Sequence, residues 1–248
     1  VNTERLFLKK TDDQLSEIIS KIPLILHGLS LSIGSEEPMD QVHLANLKKV
    51  VSRFNFEWFS EHIAMAREGN LQVRNLMPVQ FNEESVERNV EKAKRVASLT
   101  KKPFFFLYFA YYYPMPGQSM PEYEFISSIC EGADCGLLLD LNNLYCNAIN
   151  HQYDPYVFLN QLPLERVIEV HLAGGAEIDG MQVDTHAKAI SDDVYRLFDY
   201  VCQHVSFNAA IIERDTNLKY YTDLLAEVRL VQSIMRKHGL YIEQSMVV

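Results

Sequence analysis

Short apolar runs alternate with amphipathic stretches along the chain, and this alternation is its most regular feature. Apolar runs of strand-like composition begin near Pro23, Phe54, Pro103, Gly136, Val167 and Asn208. Between them, apolar residues recur at spacings of three and four, as they do on one face of a helix. Because helix-length segments separate successive strands, the pattern predicts βαβ units and a parallel sheet.

The predicted helices follow from the same periodicity. Asp40 stands directly before one amphipathic stretch and is a suitable N-cap residue. The stretches with helical spacing are Gln14 to Ile22, Asp40 to Phe54, Glu83 to Leu99, Pro121 to Glu131, Pro155 to Leu162, Asp192 to His204 and Tyr220 to His238. Their alternation with the apolar runs favours an α/β fold.

The spacing of the runs indicates one fold class. Successive runs lie about 31 to 49 residues apart, and a (β/α)8 barrel uses roughly 31 residues for each strand and helix. We therefore predict a TIM-type (β/α)8 barrel that occupies residues 1–248 as a single domain, although this length also fits two small domains. A closed barrel needs eight strands, and Val1 to Lys10 and Leu240 to Glu243 are weak candidates for the others. Either the barrel is incomplete at its N-terminal side, or irregular segments hide the missing strands.

The composition argues against two classes of protein. The net charge is −10 with a pI near 5.3, whereas a surface that binds nucleic acid normally carries a basic excess. No apolar run approaches the roughly 20 residues that span a bilayer, and the first ten residues do not resemble a signal peptide. We expect a soluble protein that binds neither nucleic acid nor membrane.

The cysteines favour a reducing compartment. They show neither C-x-x-C spacing nor the density of a disulfide scaffold. The four residues are Cys130, Cys135, Cys146 and Cys202. We interpret them as reduced thiols and expect a cytoplasmic location.

Candidate metal ligands stand where the predicted strands end. A histidine, aspartate or glutamate closes an apolar run at His27, His62, Asp140, His171 and Glu213. Asp184 and His186 are residues i and i+2 of a predicted strand end, so their side chains would share one face, and Asn143 follows Asp140 by three. The carboxyl ends of parallel barrel strands meet at one mouth. These eight residues are therefore predicted to surround one polynuclear site.

Several of these residues have structural alternatives. His27 could be a core histidine that bonds a backbone carbonyl, Asn143 could be a turn residue, and Glu213 could pair with Arg214. Glu61 precedes His62, and neighbouring strand residues face opposite sides. We select His62 as the one that faces the site.

The ligand types narrow the choice of metal. Four imidazoles and three carboxylates without a thiolate suit iron, manganese or zinc rather than a structural zinc site of the cysteine type. So many groups exceed what one tetrahedral ion uses. Two or three metal ions bridged by carboxylates account for them most simply.

The sequence resembles a bacterial family of xylose-isomerase-like TIM barrels. That family includes the iron-dependent oxygenases of methanobactin biosynthesis and related peptide-modifying enzymes. The resemblance runs from about residue 23 to residue 238 and is carried by long motifs: HGLSLSIGS, SEHIA, CGLLLDLNNLY, NHQYDP, VHLAGG, VDTHAKAISDDVYRLF and IIERD. The order of the ligands is more distantly similar to that of endonuclease IV.

The resemblance implies a distribution of ligands over three metals. It assigns His27 and His62 to the first; Asp140, His171 and Glu213 to the second; and Asn143, Asp184 and His186 to the third. It implies two or three iron ions, with manganese or zinc as alternatives, and an oxygenase that modifies a cysteine of a ribosomally made precursor peptide. A separate partner protein would present that peptide.

The sequence departs from the family pattern at two positions. Leu107 stands where the family has a glutamate that bridges two metals, and Gly175 replaces a polar residue in HLAGG. Two alternatives therefore stay open: another metal-dependent barrel enzyme, such as a sugar isomerase or phosphodiesterase, and a catalytically impaired member that still binds metal. A glutamate restored at residue 107 would test whether the lost site can be regained.

Overall fold

The computed structural model describes residues 1–7, 17, 21–68, 71–218 and 221–240. The chain divides into two compact units, Val1–Leu137 and Leu138–Val248. Each unit holds three strands of the predicted parallel type, and each collects part of the predicted ligand set.

The first unit is built around three parallel strands. Its elements are a 3-10 helix Thr3–Phe7, β1 Leu26–Gly28, α1 Gln41–Arg53, β2 Phe59–His62, an antiparallel hairpin of β3 Met65–Glu68 and β4 Leu71–Met77, α2 Glu83–Thr100, β5 Phe104–Leu107 and α3 Glu122–Ala133. Strands β1, β2 and β5 are parallel and neighbour one another in that order. Gly28 of β1 lies opposite Glu61 of β2, and His62 lies opposite Leu107 of β5.

The second unit also contains three strands of this type, and its boundary falls within the first of them. Its elements are β6 Gly136–Asp140, α4 Leu141–His151, α5 Pro155–Leu159, a 3-10 helix Leu164–Arg166, β7 Val167–Leu172, an antiparallel hairpin of β8 Ala176–Ile178 and β9 Met181–Val183, α6 Asp192–His204, β10 Ala209–Ile212 and α7 Tyr221–Lys237. Strands β6, β7 and β10 are neighbours in that order. Strands β7 and β10 run parallel, with His171 opposite Ile211.

All six predicted strands and the six predicted helices from Asp40 onward are present. The helix α4 and the two hairpins were not predicted. The predicted helix Gln14 to Ile22 and the weak strand Leu240 to Glu243 lie almost wholly outside the described residues. Of the predicted segment Val1 to Lys10, residues 1–7 are described and hold no strand: Asn2 makes a single parallel bridge to His27, and Thr3–Phe7 is a 3-10 helix.

Side-chain caps fix where the helices begin. The Asp40 carboxylate accepts the backbone N–H of Val42 at 2.7 Å, as predicted for an N-cap, and this bond lowers the pKa of Asp40. Helix α1 then buries Leu44, Leu47 and Val50 on one face. Ser191 caps α6 in the same way by accepting the N–H of Val194. These caps satisfy backbone donors that the first helical turn leaves without a partner.

Strands β2, β5 and β6 are buried on both faces, as in sheets that helices cover, whereas the four residues of β10 are half-buried. All four residues of β2 and all four of β5 are buried, and Leu137, Leu138 and Leu139 of β6 are fully buried. The four cysteines are also buried and form no disulfide. Among the described residues, no helix combines the length and the apolar character that crossing a membrane requires.

A buried carboxyl group stands at the start of α3. Glu122 is 9% exposed and accepts a hydrogen bond from the Tyr111 hydroxyl at 3.3 Å. Both residues line a small cavity with Phe81 and Phe125. Burial raises the pKa of Glu122 from 4.5 to about 8, although the bond from Tyr111 acts in the opposite direction.

The stability of the chain should respond to this carboxyl group. The pKa of Glu122 is higher in the folded chain than in the unfolded one, so folding favours the protonated form. The free energy of unfolding that protonated Glu122 contributes is therefore lost as pH rises from about 4.5 through about 8. Glu122→Gln keeps an oxygen for Tyr111 but cannot ionise. We expect the variant to gain free energy of unfolding relative to wild type between about pH 5 and about pH 9, measured by urea unfolding. A difference that is independent of pH would contradict the assignment.

Candidate metal centre

Asp140 links a strand to a helix and also faces the predicted site. It ends β6 and is only 1% exposed. Its Oδ1 accepts the backbone N–H of Asn143 at 2.8 Å and so caps α4. Its Oδ2 lies 3.9 Å from Nδ1 of His171. Asn142 and Asn143 therefore lie in the first turn of a helix, and the alternative that Asn143 is a turn residue is wrong.

His171 is held between carboxylates on both sides of its ring. It lies in β7, two residues after Glu169, so the two side chains share one face of the strand. Its Nε2 is 2.8 Å from Oε1 of Glu169, and its Nδ1 is 3.4 Å from Oε1 of Glu213. Glu213 follows β10, and its backbone N–H donates to the carbonyl of Leu172 at 2.9 Å. The strand pairing thus fixes the backbone that carries both candidate ligands.

The structure brings Asp140, His171 and Glu213 into one cluster that could hold a metal ion. One ligand atom from each lies within 4.8 Å of the others. Two carboxylates and one imidazole, without a thiolate, are a donor set that suits iron, manganese or zinc. The residues present therefore fit the kind of metal that the sequence implied.

The predicted pair Asp184 and His186 lies beside this cluster. Asp184 directly follows β9, and its Oδ1 is 2.8 Å from Nε2 of His186. The His186 Nδ1 lies 3.5 Å from Oε2 of Glu213. The Glu213 carboxylate therefore presents one oxygen to His171 and the other to His186. A carboxylate in this position could bridge two cations.

The prediction of an extended Asp-Thr-His segment was wrong. Strand β9 belongs to the short hairpin and ends at Val183, and His186 has a left-handed backbone with φ of 48°. The two side chains meet because the chain turns, not because they are i and i+2 of a straight strand. Asn142 donates its Nδ2 to Oδ1 of Asp184 at 2.6 Å and so ties this turn to the start of α4.

The hairpin that precedes Asp184 is anchored to α4. The Asn150 side chain accepts the backbone N–H of Gln182 at 2.9 Å and donates to the Gln182 carbonyl at 2.8 Å. A Cβ atom added at Gly175 would lie 2.7 Å from the carbonyl oxygen of Val183. The absence of a side chain at Gly175 is thus required by the close approach of the hairpin. Any larger residue would have to displace the backbone that leads to Asp184.

The crowding of carboxylates raises the pKa of several groups in the site. Burial alone would lower the pKa of His171, but the charges and hydrogen bonds of Glu213 and Glu169 raise it to about 10. His186 has a pKa of about 9 because Asp184 and Glu213 outweigh its burial. Burial, together with the charge of Asp184, raises the pKa of Asp140 to about 7. The cluster therefore favours positive charge, supplied by protons or by a cation.

In the first unit, the structure brings His27 and His62 together. Their ring centroids are 4.7 Å apart. Nδ1 of His27 lies 2.8 Å from the Ser60 hydroxyl, and Nδ1 of His62 lies 3.1 Å from the Gly28 carbonyl oxygen. Leu107, opposite His62 across the strand pair, is buried and offers no ligand atom.

Glu61 is buried more deeply than its neighbour His62, and its partners are backbone groups. Its carboxylate accepts the N–H of Leu31 at 3.3 Å and the N–H of His62 at 3.0 Å. Burial, with the nearby charge of Glu4, raises the pKa of Glu61 well above its ordinary value. Gly28 leaves room for this carboxylate, since a Cβ there would lie 2.3 Å from Oε2. These contacts give Glu61 a role in holding the loop after β1.

An ion pair with Arg214 was the alternative role for Glu213, but Arg214 pairs with a different carboxylate, that of Glu227. Arg214 donates to Oε2 of Glu227 at 2.6 Å, and Oε1 of Glu227 accepts the N–H of Ile190 at 2.8 Å. This partly buried pair ties α7 to the segment after His186.

Sequence reasoning missed three polar residues of the site. Glu169 contacts His171, Asn142 contacts Asp184, and Asp215 lies 3.5 Å from Nδ1 of His186. Glu169 could have been found, because Glu169 and His171 repeat the i and i+2 spacing that drew attention to Asp184 and His186. Asn142 could not, because its role depends on a helix that the sequence pattern did not reveal.

The chain matches a described protein family over most of its length. The family is described as the RiPP precursor modification enzyme MbnB/TglH/ChrH, where RiPP denotes a ribosomally made and modified peptide, and it covers residues 1–236. The UPF0276 protein of Shewanella loihica is 36% identical over 225 residues, 90% of this chain and 80% of the relative. The UPF0276 protein of Acinetobacter baylyi is 34% identical over 226 residues, 91% of this chain and 78% of the relative.

Two solved structures resemble the fold. Endonuclease IV from Thermus thermophilus superposes with a TM-score of 0.56 at 19% identity, covering 90% of this chain and 80% of that structure. D-psicose 3-epimerase from Clostridium cellulolyticum gives 0.56 at 11% identity, with 98% and 88% covered. At these identities the likeness concerns the fold alone. The predicted xylose-isomerase-like TIM-barrel fold is confirmed.

Removing Asp184 and His186 together should empty part of the site without unfolding the chain. Their side chains are 20% and 16% exposed and stand in a turn rather than in the core. For Asp184→Ala with His186→Ala, we expect one metal ion fewer per chain and an almost unchanged thermal midpoint. Glu177→Ala, an exposed change on the same hairpin, should leave both unchanged. If the double variant fails to fold, the pair is a structural element instead.

Proposed function

Since the chain belongs to the MbnB/TglH/ChrH family of RiPP precursor modification enzymes, we propose that it is a metal-dependent oxygenase that modifies a cysteine of a ribosomally made precursor peptide. Family membership supports the peptide substrate. The placement of Glu213 between His171 and His186 supports a centre of more than one metal. The first argument comes from the family, and the second rests on contacts between residues of this chain.

We assign the ligands to two neighbouring positions in the second unit. Asp140, His171 and Glu213 would hold one ion, and Asn143, Asp184 and His186 would hold another. His27 and His62 would hold a third ion in the first unit. Iron is the proposed metal, as two or three ions, because mixed imidazole and carboxylate ligands suit it. When bound, iron supplies the redox chemistry that oxidation of a thiol by dioxygen requires.

The burial of the site suggests where a substrate enters. Asp140 and His171 are at most 2% exposed, whereas the side chains of Asp184, His186 and Glu213 are 16 to 27% exposed. A peptide cysteine would therefore approach from the side of Asp184 and His186. The buried side, formed by Asp140 and the strand ends, would exclude water. Such exclusion strengthens every charge interaction within the site.

The partner and the compartment are also part of the proposal. A partner protein would present the precursor peptide, because the peptide must be held with its cysteine near a recessed site. The compartment would be the cytoplasm, where the four cysteines of this chain, which form no disulfide, and the cysteine of the substrate stay reduced.

Leu107 favours a second candidate, a member with an impaired first metal position. It is buried opposite His62, where it adds no ligand to the pair of histidines. In that case the first unit would hold its ion weakly or not at all, and two ions in the second unit would be the full complement. Another metal-dependent barrel enzyme, such as a sugar isomerase or phosphodiesterase, is the remaining alternative.

Metal analysis tests the proposal first. Protein purified anaerobically, without an affinity-metal step, should contain two or three iron ions per chain. Glu213→Gln should lose more than one of them, because its carboxylate faces both imidazoles, whereas Glu165→Gln, an exposed change, should lose none. Stoichiometric zinc or manganese would favour the isomerase or phosphodiesterase alternative. The absence of bound metal would contradict the proposed function.

Oxygen uptake tests the reaction. Iron-loaded protein should consume dioxygen with a cysteine-containing precursor peptide and should not do so with the same peptide in which serine replaces the cysteine. His171→Ala, which removes a buried ligand, should abolish the uptake. Turnover of a ketose without oxygen, in the presence of Mn2+, would instead identify an isomerase.

A further inference from the structure

Glu169 is a buried carboxylate that neither the predicted ligand set nor the proposed function uses. It is 2% exposed and lies in the interior of β7. Placing a carboxylate in such a site costs free energy unless a partner compensates. Its Oε1 lies 2.8 Å from Nε2 of His171, which is itself only 2% exposed.

When a cation binds one nitrogen of His171, this contact determines which nitrogen keeps its proton. An ionised carboxylate only accepts hydrogen bonds, so Nε2 of His171 is the donor in its short bond to Glu169. The other nitrogen, Nδ1, faces Glu213 at 3.4 Å and Asp140 at 3.9 Å. The bond at Nε2 keeps a proton on that nitrogen, so Nδ1 is the nitrogen that would bind a cation placed near Glu213 and Asp140.

We propose that Glu169 is a positioning residue for the metal centre, which holds His171 in the tautomer that binds the cation through Nδ1. The inference rests on the proposed function only in that the site must bind a metal. A carboxylate behind a metal-binding imidazole fixes the orientation of the ring and raises its basicity. Glu169 would supply both effects.

The backbone around Glu169 makes this orientation rigid. Glu169 pairs with Ala209 and His171 pairs with Ile211 across β7 and β10. Both side chains project from one face of a strand that is paired along this whole length. Without the acceptor, a neutral His171 would gain most by donating Nδ1–H to Glu213. The metal-binding nitrogen would then be protonated.

Zinc binding separates a positioning role from a merely structural one. Zinc is the probe because it does not react with oxygen, and its affinity is measured by competition with a chromophoric chelator at neutral pH. The zinc equivalent that His171→Ala loses defines the ion held by His171. Glu169→Gln retains an oxygen acceptor without charge, and Glu169→Leu removes the acceptor. Glu122→Gln, the same change at a buried glutamate of the first unit, is the control.

We expect Glu169→Gln to weaken that equivalent by about 10-fold and Glu169→Leu by about 100-fold. The Glu122→Gln control should bind zinc as wild type does. In zinc-loaded wild-type protein, the nitrogen NMR shifts of His171 should show the proton on Nε2. If Glu169→Leu does not fold, Glu169→Gln and the NMR measurement decide the question.

Two results would overturn the inference while leaving the proposed function intact: wild-type zinc affinity in both Glu169 variants, or a proton on Nδ1 in the zinc-loaded protein. A loss of thermal stability in Glu169→Leu with unchanged zinc affinity would assign Glu169 to the core alone. Failure of wild-type protein to bind any metal would instead overturn the proposed function, and this inference with it.

Discussion

The concentration of negative charge in a buried space is the constraint on which the second unit depends. Asp140, Glu169 and Glu213 surround His171, and the charge of Asp184 acts on Asp140. Carboxylates removed from water repel one another strongly unless protons or cations intervene. The raised pKa values of His171, His186 and Asp140 share this cause. The site is therefore organised to receive positive charge, and the fold supplies the rigidity that keeps the carboxylates together.

That rigidity comes from ordinary features of an α/β fold used at the strand ends. Asp140 caps α4 with one oxygen and faces the site with the other. The pairing of β7 with β10 aligns His171 with the residues that precede Glu213. Asn150 holds the hairpin that leads to Asp184. Each ligand is thus positioned by a hydrogen bond that the fold needs in any case.

Much of this arrangement could be predicted from the sequence, because burial leaves a clear pattern. Strands covered on both faces are continuous apolar runs, so all six were found, and polar residues that close such runs marked Asp140, His171 and Glu213. Helix α4 was missed because Asn142, Asn143 and Asn147 are buried polar residues that break the apolar periodicity. The hairpin of β8 and β9 was missed because strands of three residues leave little alternation. In the other hairpin, β3 has only four residues. The left-handed turn at His186 has no signal in residue type, so the Asp184 and His186 pair was found for a partly wrong reason.

The candidate ligands of the second unit are far apart along the chain, and this has a consequence for folding. Asp140 and Glu213 are separated by about 70 residues, so an ion bound by both closes a long loop. Such an ion would act as a reversible cross-link. A covalent link closing a loop of this length would lower the entropy of the unfolded chain and so raise the free energy of unfolding by about 4 kcal/mol. The last of these ligands is also made last, so during synthesis the loop can close only after Glu213 has emerged. Metal supply would then influence how long a newly made chain persists as well as how fast it works.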